Sequence, residues 1–404
     1  MAVSFSVGPF LAASRPLTSD EVTLLAGTYD WSIHTLTVPE TATIPGTGGG
    51  QTVWYEAYVS DRDNNQTTDI SDYFNGRSSV VDLNHDREIR TQATLAISDP
   101  TLLEPYSDYV AVWLNREYDD GTEATRDQLG LYGVRVPPGT RTIERADAIY
   151  TGLDLTATLA RYAFTDAYNI ASSSNYVDAV LDILELADLT RTLITPTTQT
   201  TSAVISFPPG TTYLKAANAL LEAIGYYQLS CMPDGRLFSM PSRALQSVEP
   251  FRTITDDDLM RPVEIQPLDT TVANVVIVVK DNPSAAPLTA TRRNDATDSP
   301  TSTVNIGTIT RIESRGDLAD QDAVDALADR LLSEGRSFYQ TAKLAILPDP
   351  RCLIPHQTID LNLTGKLEIL NGRWWVRTAK MPLNTKETEL EINRVTDTIL
   401  GSLI

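Results

Sequence analysis

The chain has 404 residues, 42% hydrophobic and 21% charged, with 53 acidic against 32 basic side chains and a net charge of −21. That length exceeds what one core usually holds and predicts two to four domains of ordinary soluble composition. The charge excludes a protein that grips nucleic acid, since affinity for phosphate comes from Lys and Arg displacing counterions, but not one that nucleic acid passes through, because an acidic wall repels moving DNA.

The same charge would by itself keep a protein in solution, so it does not choose between these roles. Cys231 and Cys352 are too few for a disulfide framework and read as small apolar residues with free thiols. No apolar run approaches the ~20 residues that span a bilayer, and residues 1–13 lack the basic start of a signal peptide. Synthesis and folding in a cytoplasm are therefore expected. Only six of the basic residues are Lys, a bias expected of GC-rich coding.

Residues 1–76 carry nine acidic and two basic side chains, with strand-like pieces HTLTV and TVWYEAYV around a loop containing Gly48, Gly49 and Gly50. That loop lacks the Gly-Lys-Ser/Thr and the helix start of a phosphate cradle. Asp61, Asp63, Asn65 and Asp72 fall on positions 1, 3, 5 and 12 of a calcium-loop pattern. Gln66 replaces its turn glycine and Asp72 its bidentate Glu, so a solvated hairpin loop is the expected structure. From Asp82 the pattern becomes sheet. Ile89, Thr91, Ala93, Leu95 and Ile97 alternate with Glu88, Arg90, Gln92, Thr94 and Ser98, which predicts a strand with the first set on a core and the second in water. Asp99-Pro100 ends it; YVAVWLN, an acidic Asp120-Gly121 turn and LGLYGVRV then read as antiparallel sheet.

Composition then turns to helix. DLTATLARYAF reads as a short helix, and Asn175 can cap one carrying Val177, Val180, Leu181 and Leu184 on a stripe. TRTLITPTTQTTSA is a polar connection or exposed hairpin. Thr211 or Thr212 starts a third helix, with Leu214, Ala217, Leu220, Leu221 and Ile224 inward and Gly225 closing it, and YYQLSCMPDGRLFSM reads as strand, turn, strand.

Beyond Phe251 the chain returns to β. VANVVIVV is apolar without alternation, which predicts cover on both faces by core and by another layer or subunit. DNPSAAPLTATRRNDATDSPTSTVN has the composition of a long exposed loop, whose Arg292-Arg293 pair is expected in solvent. Asp320 begins the longest helix, with Val324, Leu327, Leu331 and Leu332 buried and Gly335 as its stop. SFYQTAKLAIL, QTIDLNL, KLEIL, RWWVRTAKMPL and ETELEINRV read as five strands, the last with a wet face at Glu389, Glu391 and Asn393.

Chemistry is not legible. His34, His85 and His356 are scattered without metal-ligand spacing, there is no G-x-S-x-G, and no Cys stands beside a His in a nucleophile setting. With 53 carboxylates, some pair at glycosidase separation is expected by chance. No catalytic, cofactor-binding or metal residue is assigned, no cofactor is expected, and the chain is not expected to be an enzyme. Trp374-Trp375 points one ring to each face: either one in the core and one at a barrel seam, or an exposed pair for sugars. Trp54 and Trp113 read as core.

The segment around Asp86, Arg87, Arg90, Leu95, Asp99, Pro100, Leu103, Pro105, Val110, Val112, Asp120, Gly121, Leu129, Gly130, Tyr132 and Val134 resembles the N-terminal barrel of the tail hub proteins of long-tailed bacteriophages, also known as baseplate hub or minor tail proteins. ANALLEAIGYY with DGRL, and PDPRCLIPHQTIDL, are similar to later elements of that family, so the resemblance spans roughly residues 80–395. It implies a β-rich α+β chain: two antiparallel tube-like β-barrel domains, an intervening α+β domain and a helical insertion. The corresponding divisions are 1–150, 151–250 and 251–404, with a helix at 318–335. It further implies a homotrimeric ring at the virion tail tip, bound to a distal tail or tail tube protein above and to a spike, fibre or other minor tail protein below. Tape-measure protein would pass through the ring, and then DNA, in transit only. The competing expectation is a receptor- or carbohydrate-binding minor tail protein.

Overall fold

The computed structural model describes residues 51–118, 123–136, 148–241, 248–266, 272–281, 287–297, 299–316, 318, 320–337, 340–383 and 387–395. The strand HTLTV, the glycines at 48–50 and the Asp120-Gly121 turn lie outside them. A first β region contains β1 (Gln51–Ser60), β2 (Gln66–Asp69), β3 (Val80–Asn84), β4 (Thr91–Ile97), β5 (Tyr109–Tyr118), β6 (Thr125–Arg135) and β7 (Ala148–Leu153). A lobe follows, with α1 (Thr156–Arg161), β8 (Tyr168–Ile170), α2 (Tyr176–Leu186), β9 (Thr192–Ile194), β10 (Ile205–Phe207), α3 (Tyr213–Ala223), β11 (Ser230–Cys231) and β12 (Leu237–Ser239). Then β13 (Arg252–Thr255) and β14 (Glu264–Ile265) lead to a small unit of β15 (Val275–Lys280), β16 (Leu288–Arg293), α4 (Thr303–Ile306), β17 (Thr310–Ser314) and α5 (Gln321–Ser337). Last come β18 (Thr341–Ile346), β19 (Thr358–Asn362), β20 (Gly372–Pro382) and β21 (Thr388–Arg394).

The class is β-rich α+β, dominated by one large, mostly antiparallel sheet. Its main path runs β14-β18-β21-β20-β3-β4-β7-β6-β5-β1-β2, with β13 and β19 joined to it at β20. The seam is β20. Residues 372–375 pair with β19 and residues 378–382 with β3, while its other edge takes β21. The two β regions are therefore continuous through hydrogen bonds and share one apolar core, in which Leu83, Leu95, Val112 and Leu129 meet Ile254, Leu344, Trp374 and Ile392. No closed barrel is traced among the described residues.

Strand β4 follows its alternation, with Thr91, Ala93, Leu95 and Ile97 buried and Thr94 exposed, but Arg90, read as facing water, is only 8% exposed. Strand β5 does not alternate in polarity because both faces are covered: Val110, Val112 and Leu114 point to the main core, Ala111 and Trp113 to the lobe. The lobe's own core is built by α2 and α3, whose predicted stripes are buried at Val177, Val180, Leu184, Leu214, Ala217, Leu220 and Leu221. Caps fix where these helices begin. Asn175 Oδ1 accepts from the backbone N–H of Val177 (2.8 Å) and Asp178 (3.2 Å), and Thr212 Oγ1 from Lys215 (3.3 Å). Asn175→Ala is expected to cost about 1 kcal/mol in urea unfolding through loss of that cap.

Several expectations are corrected. The Thr-rich stretch is not a hairpin: β9 runs parallel to β12 instead. The long loop after β15 contains β16 and α4, because Leu288 and Ala290 alternate with threonines and can pair with β15 while facing α5. Arg292 is not free in solvent, pairing with Asp325 and Asp329 on α5, whereas Arg293 is exposed as expected, beside Asp295. On β15, Val275 is buried on the face away from α5. Val276 and Val278 pack on α5, but the opposite face leaves Ile277 half-buried and, on β17, Ile312 67% exposed. Helix α5 continues to Ser337, past Gly335, since an interior glycine costs only about 1 kcal/mol. KLEIL lies in a 3-10 turn, Gly365–Leu370, not a strand. The carbonyls of Ile369 and Leu370 accept side-chain bonds from Arg394 Nη1 (3.1 Å) and Trp374 Nε1 (2.8 Å). Trp54, read as core, is 40% exposed on β1, its indole N–H donating to Glu56 (3.4 Å); Trp113 is buried.

Candidate functional site

The calcium-like pattern folds as a hairpin loop between β1 and β2. Asp61 is spent on that turn: Oδ1 accepts from the N–H of Asp63 (2.9 Å) and Asn65 (2.8 Å), Oδ2 from Asn65 Nδ2 (2.8 Å). Asp72 lies beyond β2, in the 3-10 turn Ser71–Tyr73. Of the tryptophan pair, Trp374 is fully buried and Trp375 half-buried.

The structure does bring together residues that the sequence left scattered. His85, on the loop after β3, and His356, on the loop before β19, lie with ring centroids 4.8 Å apart. Trp375 of β20 stands 4.8 Å from His85, and Tyr227 of the lobe stacks on His356 at 3.9 Å. Arg90 sits at the centre. Its Nη1 donates to Ser230 Oγ (2.6 Å) and Gln228 O (3.3 Å), its Nη2 to Gln228 Oε1 (3.0 Å), and its Nη1 lies 3.4 Å from His356 Nε2. The relay continues outward: Gln228 Nε2 donates to Glu222 Oε1 (2.6 Å), whose other oxygen accepts from Arg315 (2.6 Å) at the end of β17. Both halves of the sheet, the lobe and the small unit thus meet in one polar junction. His34 lies outside the described residues. Nothing in the spacing of His85, Arg90 and His356 signals this meeting, since it depends on partners as far as 271 positions apart.

Electrostatics at the junction follow from burial. Burial, then the charge of Arg90, push His85 down to about 3; burial, then His85 and Arg90, hold His356 well below its ordinary value. Burial also lowers Arg90, against the pull of Asp154 and Glu222. Asp154 accepts from the backbone N–H of Thr91 (3.0 Å) and Thr156 (2.9 Å), which ties β4 to the start of the lobe. Such an arrangement positions segments. Its imidazoles lie in packed contact with Tyr227 and Trp375.

No protein-family model matches the sequence, and no curated protein matches it. Among solved structures the chain is similar to a tail protein from Neisseria meningitidis MC58, with TM-score 0.58 and 13% identity over 84% of this chain and 97% of that one. It is similar to a tail protein of a Shewanella oneidensis prophage, with TM-score 0.57 and 9% identity over 86% and 100%. A prophage tail protein from Listeria monocytogenes EGD-e gives TM-score 0.54 and 11% identity over 86% and 96%. At these identities the similarity is one of fold, and it covers almost the full length of each neighbour. The β-rich α+β class implied by the sequence resemblance is thus met, without its two barrels being traced among the described residues.

Proposed function

We propose that the chain is a structural protein of a phage-type tail, acting as the hub at the tail tip and not as an enzyme. The observation that carries this reading is the fold agreement with three tail proteins over 96–100% of their lengths. Three copies close a ring, the geometry expected of a cyclic homo-oligomer held by large obligate interfaces. In that ring the regions 1–150 and 251–404 supply tube-like barrel wall, with 151–250 as the α+β domain between them. The seam at β20 supports this arrangement, because it makes the two wall segments of a subunit one rigid sheet. The net charge of −21 supports an acidic channel through which tape-measure protein and then DNA move without adhering. A distal tail or tube protein sits above, a spike, fibre or minor tail protein below. The subunit is made in the host cytoplasm and resides at the virion tail tip.

The test is a cryo-EM reconstruction of the parent particle's tail tip. Three copies closing a ring beneath the tube are expected. Density away from the tail axis would overturn the hub reading and favour receptor or carbohydrate binding at the tip, for which Trp54, Tyr73, Tyr106 and Tyr162 are exposed aromatic side chains.

A further inference from the structure

The lobe is held to the sheet in two different ways. Ala111, Trp113 and Leu131 on the outer face of β5 and β6 join its apolar core, a contact indifferent to pH. At the other end the attachment is polar and passes through Arg90, whose guanidinium reaches Gln228 and Ser230. Two features there constrain protonation. An arginine can only donate, so its contact to His356 Nε2 at 3.4 Å requires a lone pair on that nitrogen. The backbone N–H of His356 donates to His85 Nε2 at 3.3 Å, which requires a lone pair there as well. The closed junction therefore needs both imidazoles neutral, each by an independent hydrogen bond. A proton on either ring turns an acceptor into a donor facing a donor, beside a buried guanidinium. His356 also holds a left-handed backbone (φ 62°), which opening would relieve.

We propose that Arg90, His85 and His356 form an acid-released latch that closes the β11–β12 end of the lobe onto the sheet at neutral pH and lets it open on acidification. This stands on the junction geometry and does not depend on the tail-tip reading. The charged groups around the pair are Arg90 at its centre, Asp154 and Glu222 acting on Arg90 from the β7–α1 connection and α3, Asp86 and Arg377 paired at the sheet rim, and Arg315 beyond Glu222. Among the described residues no carboxylate is hydrogen-bonded to either imidazole, so nothing there offsets a second positive charge. The sign follows. Both histidines are held below their ordinary value of 6.5, so the open state takes protons first and closure weakens as pH falls below 6.5, continuing toward about 3 for His85. Each pH unit in that window favours opening roughly tenfold per histidine, so pH 5 shifts the balance about 10³-fold for the pair. Asp154, which burial holds above the usual carboxylate range, acts in the opposite sense but is one group against two.

The test is hydrogen exchange of the full chain at pH 7.5 and 5, corrected for intrinsic rates and read by mass spectrometry. Peptides covering residues 85–91, 226–240 and 354–358 are expected to gain at least tenfold in exchange, while β5 and α2 do not. His356→Asn tolerates the left-handed backbone, offers Arg90 an acceptor and cannot be protonated; it should remove most of the pH-dependent gain. A second measurement needs no variant: with only three histidines, ε1-13C-labelled imidazoles resolve individually. His85 and His356 should stay neutral below pH 6 and shift only together with opening. Unchanged exchange at these peptides, a uniform rise over the whole chain, or either ring titrating near 6.5 in the closed state would each overturn the latch.

Discussion

Asp349→Ala is expected to lower stability by about 3–5 kcal/mol, measured as urea unfolding at pH 7, because it strands the buried guanidinium of Arg252 and unties Arg351. The carboxylate is 1% exposed and saturated: Oδ1 accepts from the backbone N–H of Arg351 (3.1 Å) and from its Nε (2.9 Å), Oδ2 from Arg351 Nη2 (2.7 Å) and Arg252 Nη1 (3.5 Å). Arg252 is itself 7% exposed and shared with Asp258, so loss of Asp349 leaves a guanidinium with half its neutralisation and no route to water. The same residue caps the 3-10 turn Pro350–Leu353, which drives Cys352 and Leu353 into the main core. Burial alone would raise the Asp349 pKa, but the hydrogen bond and charge of Arg351, then the charge of Arg252, outweigh it and hold the carboxyl below 3.8. A depressed carboxylate contributes stability above its unfolded value, lost as pH falls through the folded one. The gap between wild type and Asp349→Ala should therefore close below about pH 4. A loss under 1 kcal/mol at pH 7 would show that the arginines find other partners.

What the sequence discloses and what it hides divides along range of interaction. The helices α2 and α3 were legible because cap and stripe lie within one another's reach, at Asn175 with Val177 and at Thr212 with Leu214. The strand β4 was legible in its period, yet Arg90 at its mouth was misread, since its burial comes from Gln228 and Ser230, 138 and 140 positions away. His85 and His356 carry no local signal for the same reason. KLEIL failed in the converse way: its polarity pattern suits a strand, but its carbonyls are claimed by Arg394 and Trp374. The seam is also a long-range event, hidden because β20 divides one edge between β19 and β3. Fold class was legible, and the junction was not, because class depends on period while a junction depends on which distant ends meet.

Gly130→Ala is the other substitution expected to be severe, costing about 3 kcal/mol, at the upper end of overpacking losses. Gly130 and Tyr132, both in the motif that carried the family resemblance, are coupled by space. A Cβ on Gly130 would stand 2.1 Å from Tyr132 Oη and 2.2 Å from its ring, and one on Gly152 would stand 2.8 Å from Tyr132 Cβ. The Tyr132 ring, fully buried, thus occupies a slot that two glycines vacate, and its hydroxyl donates to Leu129 O (3.2 Å). That bond lies where β6 slips register between Val112 and Trp113 of β5, so the ring also pins the bulge. Relief is difficult, because the ring is fully buried in the main core with its base against Gly152. If the clash is the cause, the penalty must vanish when the ring does. Tyr132→Ala alone should cost about 3–5 kcal/mol, and Gly130→Ala added to it almost nothing, a coupling of roughly 2–3 kcal/mol in a double-mutant cycle read by urea unfolding. Additive losses would mean instead that Gly130 is required for its backbone, and that the motif encodes the bulge rather than the slot.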